Sequence, residues 1–203
     1  GGSGGGVITG AGDFSIDADG GGSNDYLTWT SGSMTGTGTT TIGPNATMTL
    51  SGTGMMARDL DNHGTVVWSA GGEFGYGSGV TLHNEKDGTF DFEGGALLPE
   101  VDNDGMLEVA AGVTPTVATF TQSSTGTLQS DLASASSFGK LKVTGSATLD
   151  GTLQAELEDG YQPPSGTSFE VLDFASSSGQ FADVEPQGWS AAYNSTSVDL
   201  VSP

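Results

Sequence analysis

The stretch Asn62-His63-Gly64-Thr65-Val66-Val67-Trp68 and its echo Asn103-Asp104-Gly105-Met106-Leu107-Glu108-Val109 decide how this chain is read. Each holds an Asn, one variable residue, a Gly, and then a strand in which apolar side chains recur at every second position. The core of the phrase, Gly followed by an alternating strand, begins at Gly12, Gly38, Gly64, Gly88, Gly105, Gly126 and Gly151. Successive copies lie 26, 26, 24, 17, 21 and 25 residues apart. Self-similarity at that period predicts a single-stranded β-solenoid, each turn of chain pairing with the turns above and below it. At about 4.8 Å per coil, seven coils make a rod roughly 34 Å long. Unrelated hairpins closed by Asn-x-Gly turns are the alternative that the uneven spacing leaves open.

Composition agrees with an all-β chain. Of 203 residues, 35 are Gly and none is Cys, and 34% are hydrophobic. Gly, Thr and Ser are poor helix-interior residues, and a small apolar fraction suits a thin, elongated core. Without Cys there is neither a disulfide framework nor a thiolate metal site. The 25 acidic and 4 basic residues give a net charge of −21. Arg58, Lys86, Lys140 and Lys142 are too few and scattered for nucleic acid, which needs clustered cations to release its counterions. No apolar run reaches the roughly 18 residues of a membrane span, so membrane insertion is not expected. The opening Gly-rich run lacks signal-peptide features, as in a mature chain or a piece of a longer one.

Asn62, Asn84 and Asn103 precede three of the Gly phrases. Asn and Gly accept left-handed backbone at corners, and stacked Asn amides can hydrogen-bond along an axis. After Ser130 the texture changes to a polar link over residues 131–137. Two regions are expected: solenoid repeats with a Gly-rich N-terminal arm over 1–137, and a final coil with a β cap over 138–203.

The second region carries Leu141-x-Val143-x-Gly145-x-Ala147-x-Leu149-x-Gly151-x-Leu153. Gly160-Tyr161-x-Pro163, Phe169-x-Val171-Leu172, Gly179-x-Phe181 and a closing Trp189, Tyr193 and Val198-x-Leu200 follow. Over about residues 115–203 this resembles the C-terminal stretch of bacterial cell-surface and autotransporter-like β-helix proteins. The resemblance implies a capped β-helix at an extracellular or cell-surface location. It implies no particular activity, since those proteins serve as adhesins, scaffolds and passengers.

A solenoid has two open ends, and unpaired strand edges recruit further strands. Gly1, Gly2, Gly4, Gly5 and Gly6 at one end, with Val198, Leu200 and Val201 at the other, are therefore candidate interface residues for head-to-tail self-association. The Gly arm is expected to be held by the chain's own first coil or by a neighbouring subunit. The function expected is that of an extracellular structural protein, a building block of a cell-surface, adhesive or self-assembling filament. The alternative is a β-helix that binds or cleaves polysaccharide. No enzymatic activity and no obligatory cofactor are expected.

Other motifs suggest chemistry beside plainer roles. Gly20-Gly21-Gly22-Ser23-Asn24-Asp25 resembles one imperfect calcium repeat, with Asp17, Asp19 and Asp25 as candidate oxygen ligands and a polar turn as the alternative. Asp102-Asn103-Asp104-Gly105 has some calcium-loop character at a corner where Asp and Asn are ordinary. His63 and His83, with Asp59, Asp61 and Glu85, are candidate zinc ligands or exposed corner residues. Thr pairs at 28/30, 35/37, 39/41 and 47/49 could form a flat hydroxyl face, or reflect β propensity alone. Asn45-Ala46-Thr47 and Asn194-Ser195-Thr196 fit the N-glycosylation pattern, which argues for surface positions. The acidity suits solubility, because like charge on a rod opposes side-by-side association.

Overall fold

A computed structural model describes residues 2–17 and 25–203. The chain winds back and forth between two faces. β1 (Gly2–Thr9) lies on the first face and β2 (Phe14–Ile16) on the second, followed by β3 (Tyr26–Thr35) and β4 (Thr40–Ile42). β5 (Thr47–Ala57) and β6 (Leu60–Asn62) form the next pair. β7 (Thr65–Trp68), a side strand β8 (Glu73–Tyr76) and β9 (Thr81–Asn84) come next. β10 (Thr89–Phe92) and β11 (Leu97–Asn103) lead to β12 (Met106–Val109) and β13 (Thr116–Gln122). β14 (Thr127–Ser134), a short β15 (Ser137–Phe138) and β16 (Leu141–Leu149) precede β17 (Thr152–Leu157) and β18 (Ser168–Gly179). The chain closes with β19 (Asp183–Glu185), β20 (Ser190–Tyr193) and β21 (Ser197–Val201).

The first sheet runs β1-β3-β5-β7-β10-β12-β14-β17-β19, and the second β2-β4-β6-β9-β11-β13-β16-β18-β21-β20. In that order every pairing of the first sheet is parallel, and the second stays parallel as far as β18. This is a β-solenoid. In-register stacking builds columns of like side chains: Met48, Val66, Phe90, Leu107, Leu128 and Leu153 form one buried file. Leu50, Trp68, Phe92 and Val109 form its neighbour. Burying each such side chain contributes about 1.5–3 kcal/mol, realised only when the coils on either side are in place.

Five of the seven Gly phrases stack on the first sheet, where Thr65, Thr89, Met106, Thr127 and Thr152 share one column. The Gly12 and Gly38 phrases do not. They form β2 and β4 on the second sheet, so the step from Gly38 to Gly64 crosses between faces. In the first-sheet file Ala46 occupies the place below Gly64, since Thr47 pairs with Thr65.

At Gly88 and Gly105 the Gly requirement is one of close approach and not of left-handed backbone, whereas Gly151 has φ 65°. A Cβ on Gly88 would lie 2.2 Å from the Asn62 carbonyl oxygen, and one on Gly105 would lie 2.3 Å from that of Gly88. Neither Gly88 nor Gly105 has a positive φ, nor do Asn62, Asn84 and Asn103, which corrects the left-handed corners expected at those positions. The three Asn side chains point into the core instead. Asn62 Nδ2 donates to Asn84 Oδ1 at 2.8 Å, Asn84 Nδ2 to Asn103 Oδ1 at 2.8 Å, and Asn103 Nδ2 to Gln122 Oε1 at 3.1 Å. The same amides also donate across to the first sheet, to the carbonyls of Thr89, Met106 and Thr127. Gln122, a ladder member that the Asn pattern missed, ends the file by donating to the carbonyl of Asp150 at 2.8 Å. Ile42 precedes the ladder and Asn62 follows it in register, so the polar file begins where an apolar one stops.

Residues 131–137 are not a link. Asp131–Ser134 belongs to β14, and β15 folds back antiparallel on it. Both sheets run on past residue 137, β13 pairing with β16 and β14 with β17. The cap is the antiparallel group β18-β21-β20. Phe169 anchors it, with Phe138 at 5.5 Å, Trp189 at 6.1 Å and Tyr161 at 6.4 Å between ring centroids.

Candidate functional site

The two ends of the solenoid differ. At the N-terminal end, β1 and β2 each pair on one side only among the described residues. Gly2, Gly4, Gly5 and Gly6 lie in β1, opposite Leu27, Trp29, Ser31 and Gly32 of β3. Thus the Gly arm is a strand of the chain's own first coil, and its other edge is open. Gly1 lies outside the described residues. Val7 beside them is 69% exposed. Residues 1–12 carry no charged side chain in a chain of net charge −21.

At the C-terminal end the antiparallel strands β21 and β20 cover the second sheet, and the first sheet ends at β19. Val198 and Leu200 are fully buried, and β21 is paired on both sides, with β18 and with β20. Their interface role is therefore corrected: Val198, Leu200 and Val201 hold the cap together and offer no free edge. An alternating terminal strand looks the same in sequence whether its apolar face meets a partner or its own core.

A second feature lies at the corner where the second sheet hands over to the first. A groove of about 410 Å³ is lined by Pro44, Asn45, Ala46, Thr47, His63, Gly64, Thr65, Asp87 and Thr89. Thr47, Thr65 and Thr89 are in register on three successive first-sheet strands. This Thr column continues, after Met106, with Thr127 and Thr152. Of the Thr pairs read from sequence, Thr28 and Thr49 do stack, but Val67 and Asp91 replace them on the next strands. The longer column was written in the Gly-Thr dipeptides at 64, 88, 126 and 151.

A third feature is the outer face of the first sheet. Asp91, Glu108, Gln129 and Gln154 stack in one file. Gln129 donates to Glu108 Oε1 at 2.7 Å and to Asp131 Oδ1 at 2.9 Å, and Gln154 donates to Gln129 Oε1 at 3.0 Å. Partial burial, then the charges of Glu108, Glu93 and Asp131, raise the Asp91 carboxyl to about 6. Burial also raises Glu108 and Asp131, against the lowering effect of the Gln129 hydrogen bond. Parallel stacking adds to the effect of burial, since it places like carboxyls one coil apart and no cation between them.

The cations are elsewhere. Arg58 is buried, donating through Nη2 to the carbonyls of Gly12 at 2.7 Å and Thr39 at 2.9 Å. Lys140 pairs with Glu170 and with Asp173 at 3.1 Å. Lys86 and Lys142 are exposed and, among the described residues, make no ion pair; two separated cations form no patch for a polyanion.

Asp17 accepts the Ser15 hydroxyl at 2.6 Å, and the Asp25 carbonyl accepts the Thr47 amide at 2.7 Å. Asp19 lies outside the described residues. His83 stacks between Asp61 and Asp102, with Nδ1 3.5 Å from Asp102 Oδ2, while His63 sits past Asn62 in the groove. Asp59 is occupied by the Thr81 amide at 2.9 Å. The two His residues thus belong to different files. Among the described residues no group of three or more His, Cys, Asp or Glu side chains is arranged to hold a metal ion.

No protein-family model matches this chain, and no curated protein matches it in sequence.

Proposed function

We propose that this chain is an extracellular structural protein, a β-solenoid building block of a cell-surface, adhesive or self-assembling structure. The observation that carries the reading is the asymmetry of the ends. Among the described residues, β1 and β2 are unpaired parallel edges at one end, with no charged side chain over residues 1–12, while at the other end the second sheet turns antiparallel over Phe169 and Leu200 and the first stops at the three-residue edge of β19. Edge strands left without charges, Pro or a covering element recruit further strands. Here they accept another β coil stacked end-on. The long flanks, dense in carboxylates, resist lateral aggregation, so association is confined to the ends.

Negative-stain imaging and sedimentation over a range of concentrations test this, with and without a calcium chelator. End-on particles longer than one molecule, lost when Gly5→Pro blocks the β1 edge, support it. Single rods at every concentration, indifferent to that substitution, refute it. A chelator that alone disperses the particles would assign the contact to calcium.

A second reading, polysaccharide binding, is favoured by one observation of its own, the polar corner groove.

A further inference from the structure

Three of the polar files along this solenoid bear on binding, and two of them are self-contained. The Asn62–Asn84–Asn103–Gln122 ladder satisfies itself inside the core, and Glu108, Gln129 and Gln154 bond one another on the outer face. The third differs. Among the described residues, the side chains of Asn45, Thr47, His63, Thr65, Asp87 and Thr89 make no hydrogen bond or ion pair within the chain. They nevertheless converge on one groove.

Local geometry explains why they face outward together. Ala46 N donates to Gly43 O at 3.0 Å across Pro44 and Asn45, and Asn45 has φ 63°, as a type II turn requires at its third position. That turn leaves Asn45 exposed at the rim. Gly64 keeps the coils close, since a Cβ there would lie 2.4 Å from the carbonyl oxygens of both Ala46 and Gly43. The three Thr hydroxyls therefore repeat at the coil spacing of about 4.8 Å, with a methyl group beside each.

The lining selects a ligand class. The main-chain amides of Thr47, Thr65 and Thr89 are already spent on the carbonyls of Asp25, Ala46 and Gly64, and the Thr89 carbonyl accepts Asn62. An extended peptide would find no main-chain ladder to join. Asp87 and the net charge of −21 oppose anionic ligands, and a lone carboxylate is a poor cation cage. What remains complementary is an uncharged, extended molecule that offers hydroxyls as donors and acceptors at regular intervals. We propose that this corner groove binds a linear neutral polysaccharide laid along the solenoid axis. Thr47, Thr65 and Thr89 meet successive sugar hydroxyls, and Asn45, His63 and Asp87 hold the flanks. The proposal rests on the second reading above and is independent of end-on assembly.

Affinity electrophoresis of the full chain tests it, in gels containing a neutral β-glucan, a xylan or a mannan, with polygalacturonate as the anionic probe. The expected result is retardation in at least one neutral gel and none in polygalacturonate. Combining Thr65→Val with Thr89→Val should weaken retardation at least tenfold, while Thr127→Val with Thr152→Val, on the same column beyond the groove, should leave it unchanged. His63→Ala and Asp87→Asn carry the same test should the Val pair perturb folding, which circular dichroism reads. No retardation in any of the three neutral gels overturns the proposal. So does retardation that survives the groove substitutions, or preference for polygalacturonate. Loss of binding with end-on particles intact would remove this inference and leave the structural reading standing.

Discussion

Asn84 Nδ2 lies 2.8 Å from Asn103 Oδ1, one coil further along the axis, with both side chains buried. The same nitrogen donates to the Met106 carbonyl at 2.8 Å, and the Asn84 oxygen accepts Asn62. One side chain thus ties three successive coils of the second sheet to the first. Replacing it with Ala leaves the buried Asn103 oxygen without its donor and one Asn62 Nδ2 hydrogen without its acceptor. Each orphaned group costs about 1–3 kcal/mol, so Asn84→Ala should lose about 3 kcal/mol. A urea midpoint equal to that of the parent chain would show the ladder to be dispensable.

Gly88 and Gly95 separate packing from chain entropy. A Cβ on Gly88 would meet the Asn62 carbonyl at 2.2 Å and Asn84 Oδ1 at 2.7 Å, whereas one on Gly95 meets nothing within 4 Å. Main-chain atoms cannot yield cheaply, so Gly88→Ala should destabilise by about 3 kcal/mol. Gly95→Ala should stay within about 0.5 kcal/mol of the parent. Equal thermal midpoints for the two variants would contradict the close-approach argument.

The carboxyl file makes stability depend on pH. Asp91 titrates at about 6 in the folded chain, raised from 3.8 by burial and then by Glu108, Glu93 and Asp131. A carboxyl raised on folding holds its proton more tightly when folded, so its contribution is complete below pH about 4 and is lost as pH rises through 6. Because Asp91 is only about half-buried, solvent screening reduces the effect to about 1 kcal/mol. The chain should therefore be more stable at pH 5 than at pH 7, and Asp91→Asn should gain about 1 kcal/mol at pH 7 while flattening the profile. Urea titrations between pH 4 and 8 read both; a parent profile rising from pH 5 to 7 would reverse the sign and refute the assignment.

Arg58 fastens the first coils. Its Nη2 bridges the Gly12 and Thr39 carbonyls, and the Phe14 amide donates to that same Thr39 oxygen. Hydrogen bonds from a charged group are each worth about 1.5–3 kcal/mol. Arg58→Ala should thus lower hydrogen-exchange protection of the Phe14 amide by about 2 kcal/mol, with strands beyond β13 little changed. A uniform loss along the whole solenoid would argue that the clamp acts globally.

Much of the solenoid was legible because parallel in-register stacking writes its columns into the sequence. Gly64, Gly88 and Gly105 recur since each coil passes close over the last, and Asn62, Asn84 and Asn103 recur since each amide needs the next. The first two Gly phrases misled for a physical reason: Gly followed by an alternating strand suits either sheet, so Gly12 and Gly38 read like Gly64 while lying on the opposite face. Gln122 escaped the Asn pattern because a longer amide serves equally at the end of a file.

Local preference along one dimension, the alternation of apolar residues and the return of Gly and Asn, was enough to determine the coil, its thin core and its amide spine. Which coil edges stay open, which carboxyls become neighbours, and which Thr hydroxyls line up beside His63 were decided only by winding. Corners absorb differing numbers of residues without disturbing the pairing of the strands between them. The linear distance from one side chain to the next therefore says little about who stands above whom. The fate of Val198 and Leu200 shows the same limit, for an apolar stripe is sealed or offered according to what folds over it.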